Sequence, residues 1–185
     1  MSIDKQKNIW NKNWQGQINV NPQIILNSHF TLEAYHYLKK FINTNSKSQK
    51  ILEAGCGTGR FCCLIANDYS YSKVIGMDLS QNSISISNSL KEYLKVPNVF
   101  FVKGNLFQIP YPNNYFDIVG NEGVIEHYKL ESHPNYIDAL REMVRVTNKG
   151  GKIIIAVPSW LNLPHTCYKW ILNRLGKRFE YGSEK

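Results

Sequence analysis

Apolar positions follow two regimes along the chain. Before residue 50 they recur at helical spacing. Ile9, Trp10 and Trp14 share one face that ends at Gly16, and Pro22 opens a second segment with Ile24, Ile25, Phe30, Leu32, Tyr35, Leu38, Phe41 and Ile42 inward. A polar run from Thr44 to Gln49 reads as a loop. From Lys50 short apolar runs alternate with helical patterns. The spacing predicts strands over 50–54, 74–78, 99–103, 115–120 and 152–157. Helices are predicted over 60–68, from a Ser80 cap to Leu94, over 134–146 and over 161–175. The serine-rich helix after Ser80 has poor propensity and is expected to depend on Ile84, Leu90 and Leu94. The 152–157 run is continuously apolar, as in a strand covered on both faces. This order predicts a Rossmann-like α/β fold, doubly wound around a mainly parallel sheet. Residues 1–49 form a helical extension and 50–185 the principal domain.

Composition narrows the field. A chain of 185 residues with 43% hydrophobic content can bury one proper core. No apolar run approaches the roughly 20 residues of a membrane span. The N-terminus lacks the apolar centre of a signal peptide, so the expected location is cytoplasmic. Cys56, Cys62, Cys63 and Cys167 show no C-x-x-C spacing, so no metal site is expected and the thiols read as buried and reduced. The formal charge of +8 is concentrated late, where Lys149, Lys152, Lys169, Arg174, Lys177, Arg178 and Lys185 face Glu180 and Glu184. A basic tail is ordinarily a solvated face and does not favour a nucleic-acid partner.

The candidate chemistry lies at the end of the first strand, in K-I-L-E-A-G-C-G-T-G-R. Gly55, Gly57 and Gly59 alternate where a strand turns into a helix, which is a nucleotide-binding corner. The dinucleotide pattern G-x-G-x-x-G would place its third glycine at position 60, which is arginine here. Glu53, just ahead of the turn, would repel a pyrophosphate and suits an ammonium. Asp78, ending the second strand, can accept from both hydroxyls of a ribose. A nucleoside bearing a cationic amino acid and no diphosphate fits this set, as S-adenosylmethionine does. Trp10 and Trp14 read either as core or as a cover over the corner.

Four motifs in order carry a family resemblance. They are I-L-E-A-G-C-G-T-G-R, V-I-G-M-D-L-S, G-N-L-F-Q-I-P-Y-P-N-N-Y-F-D and L-R-E-M-V-R-V-T-N-K-G-G-K-I-I-I-A-V-P. Across residues 50–158 the chain resembles class I S-adenosylmethionine-dependent methyltransferases, nearest the quinone-biosynthesis type. The resemblance implies that Glu53, Gly55, Cys56 and Gly57 line the methionine end of the cofactor. It puts Asp78 on the ribose, Leu79 on the adenine, Asn105 and Leu106 at the adenine edge, and Asn121 towards the sulfonium. Asn105 stands where the family usually has aspartate. The acceptor is expected to be a small molecule, with S-adenosylhomocysteine as the other product. Glu122, Glu126 and His127 are the candidate catalytic groups, and the pair Glu126–His127 reads either as a base or as organisers of the loop. A methyltransferase for RNA or protein, and a cofactor-binding fragment without activity, remain as alternatives. The family adds a C-terminal hairpin to complete seven strands, and 159–185 has no such pair. Five strands and an exposed fifth edge, open to self-association, are therefore expected.

Overall fold

The computed structural model describes residues 3–16, 20–42 and 48–157. Five parallel strands form one sheet in the order β3-β2-β1-β4-β5: β1 (Lys50–Ala54), β2 (Lys73–Asp78), β3 (Val99–Lys103), β4 (Phe116–Glu122) and β5 (Thr147–Ala156). The order reverses between β1 and β4, so the turns leaving these two strands flank the crevice where open α/β sheets bind ligands.

Alternate strand residues feed two cores. Ile51, Val74 and Ile118 face the helices α4 (Arg60–Asp68) and α5 (Gln81–Leu94), joined there by Phe61, Ile65, Ile84 and Leu90. Leu52, Ile75 and Val119 face the opposite way, where Ala139, Met143 and Val146 of α6 (Tyr136–Val146) are fully buried. Helices on both faces confirm the doubly wound reading. Ser80 caps α5, accepting from Ser83 N–H, and Asn135 with Asp138 forms a capping box on α6.

The N-terminal pattern resolves into α1 (Ile3–Gln15), α2 (Pro22–Leu26) and α3 (His29–Lys39). The second predicted segment is two helices, because Ser28 accepts from Thr31 N–H and starts a new one. β5 begins five residues earlier than its apolar run suggests. Thr147 leaves α6 directly in an extended conformation and pairs with Phe116. β5 is also less covered than predicted: Ile155 is 41% exposed, and among the described residues β5 is one of the two edge strands, with β3 the other. β4 runs two residues further than expected, since Asn121 and Glu122 pair with Ile155 and Ala156. The predicted 161–175 helix, the basic tail, Cys167 and most of the 44–49 loop lie outside the described residues.

The long connection between β3 and β4 is held from α6. Arg145 donates to the Ile109 and Tyr111 carbonyls at 2.9 Å, and Glu142 accepts from Ile109 N–H at 2.9 Å. The third and fourth sequence motifs are thus one bonded unit. No helix among the described residues is long and apolar enough to cross a membrane.

Candidate active site

The turn after β1 is tied down from beneath. Gly55 and Cys56 N–H both donate to the Met77 carbonyl, at 2.7 and 3.0 Å. The Gly57 carbonyl accepts from Ser83 Oγ at 2.5 Å and Ser87 Oγ at 3.0 Å. The polar interior of α5, which looked like a weakness in the sequence, is a stripe of buried hydroxyls that fixes the turn. Ser80, Ser83 and Ser87 recur along one helix face, and that spacing was the available signal. At Gly59 both space and angle demand glycine. Its φ is +72°, and a Cβ would stand 2.7 Å from the Phe101 ring and from Ser87 Cβ.

Asp78 ends β2 beside this turn. Its Oδ2 accepts from Gly57 N–H and its Oδ1 from Ser80 N–H, each at 2.9 Å. The Ser83 side chain and the Leu79 backbone also contribute hydrogen bonds to this carboxylate. Burial raises the Asp78 pKa, and the bonds from Ser80 and Gly57 oppose that shift. Asp78 itself stays half-buried. Leu79 is half-buried next to it.

Glu53 is buried, 8% exposed, and accepts from Cys62 Sγ at 2.9 Å. Burial pushes its carboxyl up to about 7; the Cys62 bond and Arg60 work against this, and Glu122 adds to it. An ammonium beside it would supply the charge this carboxylate lacks. Cys56 turns its thiol inward, 4.0 Å from Ser87 Oγ, so it offers a ligand its backbone alone.

Other expected residues are engaged differently from the sequence reading. Asn121 donates to the Ala54 carbonyl at 2.6 Å and accepts from Ile125 N–H at 3.3 Å, locking β4 and the following loop to β1. Asn105 Oδ1 accepts from Phe107 N–H at 3.0 Å, and Leu106 is buried in the α6-side core. Glu122 is held by Arg60 at 2.6 Å, which removes it as a free base. The arginine that occupies the third-glycine position thus clasps the end of β4, and its guanidinium also lies 4.4 Å from the Phe61 ring centroid.

Glu126 and His127 sit on a short 3-10 turn, Ile125–His127. Glu126 is exposed; His127 is half-buried. Burial lowers the His127 pKa against a hydrogen bond to the Gly123 backbone, leaving a neutral imidazole at pH 7. Among the described residues no group of three His, Cys, Asp or Glu is placed to hold a metal.

α1 lies across the opening. A Cβ on Gly57 would stand 3.2 Å from Trp14, so that indole covers the turn. Asn11 accepts from Ser80 Oγ at 2.7 Å and, through its carbonyl, from Asn82 Nδ2 at 2.8 Å. Trp10 stacks on Trp14 at 6.1 Å and meets the His127 ring edge-on at 5.3 Å. Of the two readings of the tryptophans, the geometry matches the cover. Tyr128, overlooked in the sequence, packs on Phe107 at 4.7 Å, and burial together with Asp78 pushes its hydroxyl up to about 12. Five buried polar atoms lack partners among the described residues: Thr58 Oγ1, Arg60 Nε, Gln6 Nε2, His127 Nε2 and, just before β1, Gln49 Oε1. The first four belong to the turn, the β4 loop or the helix across them.

A parallel sheet with a glycine turn and a strand-end carboxylate at its switch point defines a Rossmann-like α/β domain. Family comparison makes it specific: a family of methyltransferase domains matches residues 45–179. The chain belongs to that family, and its motifs are those of the class I S-adenosylmethionine-dependent branch. Demethylmenaquinone methyltransferase of Listeria welshimeri is 26% identical over 140 residues, covering 72% of this chain and 57% of that protein. The Oceanobacillus iheyensis protein of the same name is 32% identical over 133 residues, covering 68% and 54%. Among solved structures, the PH0226 protein from Pyrococcus horikoshii superposes with a TM-score of 0.64 at 24% identity, covering 83% of this chain and 71% of that one. A SAM dependent methyltransferase from Aquifex aeolicus gives 0.55 at 18%, covering 75% and 67%. The chain spans little more than half the length of the curated relatives it matches, 57% and 54% for the two above.

Proposed function

We propose that this chain binds S-adenosylmethionine in the glycine corner and directs its methyl group to a small-molecule acceptor. The observation that carries the reading is the Asp78 carboxylate, half-buried at the end of β2 and anchored to the glycine turn by Gly57 N–H and to the start of α5 by Ser80 N–H. When bound, the cofactor supplies a methyl group already activated by its sulfonium. The chain's own task is to position and to dehydrate. Asp78 holds the ribose, Glu53 faces the ammonium, and the Gly55–Gly57 backbone receives the amino-acid portion. Trp14 closes over Gly57 and excludes water. His127, neutral at pH 7, takes a proton from an acceptor that must lose one.

A small-molecule acceptor is supported by the demethylmenaquinone methyltransferases among its relatives. The test is transfer of a labelled methyl group from S-adenosylmethionine by the full chain. A panel of phenols and hydroquinones is offered beside RNA and an unmodified protein extract. Label in the small molecules is the expected result. Label confined to RNA or protein would replace the acceptor class, and none in any pool, with the cofactor bound, would leave a binding domain.

A further inference from the structure

The first turn of α4 meets two carboxylates that stand side by side. β1 and β4 pair with Glu53 opposite Gly120, so Glu122, two residues further along β4, leaves the sheet on the same face as Glu53. Gly120 puts no side chain between them. α4 covers that face and starts at Arg60. Arg60 Nη2 donates to Glu122 Oε2 at 2.6 Å, and Cys62, two positions on, donates from Sγ to Glu53 Oε2 at 2.9 Å. The Arg60–Glu122 pair is largely withdrawn from water, its side chains 19% and 22% exposed. Phe61 and Phe30 flank the guanidinium, their ring centroids 4.4 and 5.6 Å away. Charges so placed are screened far less than charges in solvent.

Two carboxylates and one guanidinium leave an excess of a single negative charge, and the guanidinium is committed to Glu122. We infer that Arg60 is a positioning residue for cofactor binding: by clasping Glu122 it neutralises the second carboxylate, and so leaves Glu53 able to stand as the anion that meets the cofactor's ammonium. This rests on the reading above that puts Glu53 at the ammonium, and it names what supports that subsite. The groups around Glu53 act in matching directions. Burial and Glu122 oppose its ionised form, whereas Cys62 and Arg60 favour it, and the balance puts its carboxyl at about 7. The thiols of Cys62 and Cys63 from α4 and of Cys56 from the turn also face it; burial pushes all three up, so they are neutral at pH 7. Glu126, on the 3-10 turn, acts in turn on Glu122. Arg60 and Glu122 thus pull the charge on Glu53 in opposite directions, at the pH where that charge is in balance.

The test compares the affinity of the full chain for S-adenosylhomocysteine with that for 5′-methylthioadenosine, which keeps the nucleoside and lacks the amino acid. Calorimetry between pH 5.5 and 8 gives the ratio of the two, which isolates the amino-acid end. In the native chain the ratio should rise as pH climbs through about 7. Arg60→Met should move that rise up by about one pH unit, weakening S-adenosylhomocysteine roughly fivefold at pH 7 and sparing methylthioadenosine. Glu122→Gln should move it down, and the double variant should return it close to its native place. A bond that only holds two strand ends together does not produce opposite shifts that cancel. Parallel weakening of both ligands by Arg60→Met, with the rise in place, would reduce Arg60 to a structural brace and overturn the inference. If Arg60→Met does not fold, Glu122→Gln carries the test alone, and a rise that stays put there would overturn it too. A native ratio indifferent to pH, with S-adenosylhomocysteine bound, would remove Glu53 from the ammonium and the inference with it, leaving the ribose end intact. A chain that binds neither ligand would remove the cofactor reading as well.

Discussion

Beneath the glycine turn, Met77, Asp78, Ser80, Ser83 and Ser87 each bond to the turn or to one another at 2.5–3.3 Å. Above it, α1 touches the site through the ring contacts of Trp10 and Trp14 and through Asn11, and its buried Gln6 Nε2 has no partner among the described residues. The floor is cross-bonded through backbone and hydroxyl groups; the roof rests largely on ring contacts. A cross-bonded floor is preorganised for the invariant half of the reaction, the cofactor. In the proposed reaction the roof faces the half that differs between enzymes, the acceptor.

Variants on either side should separate these roles. The largest effect belongs to the roof. His127→Ala should lower methyl transfer by roughly 10²–10⁴ while S-adenosylhomocysteine affinity stays the same, since a positioned base contributes about that much. Full turnover would remove His127 as the base. On the floor, Asp78→Ala deletes two charge-assisted hydrogen bonds of about 1.5–3 kcal/mol each, so calorimetry should show a loss of at least about a hundredfold in S-adenosylhomocysteine affinity. An unchanged affinity would break the contrast at its strongest point.

Gly59→Ala should destabilise the fold by about 3 kcal/mol in urea, through the positive φ and the clash with Phe101. A shift within error would mean the floor yields. Glu53 gives a pH signature. Its carboxyl rises from 4.5 to about 7 on folding. The folded state therefore binds this proton more tightly than the unfolded one, and its contribution is full below about pH 4.5 and lost as pH passes through 7. Up to about 3 kcal/mol is at stake, and Glu53→Gln should flatten the urea stability profile between pH 5 and 8 by that amount. Coincident profiles would place Glu53 in a wetter site. The smallest effect is Asn105→Asp. A charged acceptor for the adenine amino group should tighten S-adenosylhomocysteine by about five- to tenfold in calorimetry, and no gain would mean that residue 105 does not read adenine.

Much of the floor was legible because its chemistry is local in sequence. β1, α4 and β3 match their predicted spans, and Asp78 and the glycine turn meet as expected, since motif, strand end and helix start are contiguous. What escaped needed tertiary information. Arg60 excluded a dinucleotide turn, yet its ion pair with Glu122 spans sixty-two positions and no spacing reveals it. Asn121 read as a ligand residue because its register on β1 was invisible; its amide instead joins two strand ends. The serine stripe of α5 was visible as a pattern but read as poor propensity. Gln6 gave no signal, because a glutamine on a polar helix looks solvated until its full burial and its bond from Trp10 are seen.

The central claim is that the glycine corner is an adenosyl site and not a dinucleotide site. Calorimetry of the full chain with S-adenosylhomocysteine and, separately, NAD tests it directly. The account predicts saturable one-to-one binding of S-adenosylhomocysteine, lost in Asp78→Ala, and no heat from NAD. Binding of NAD that depends on Asp78, or indifference to both ligands, would contradict it.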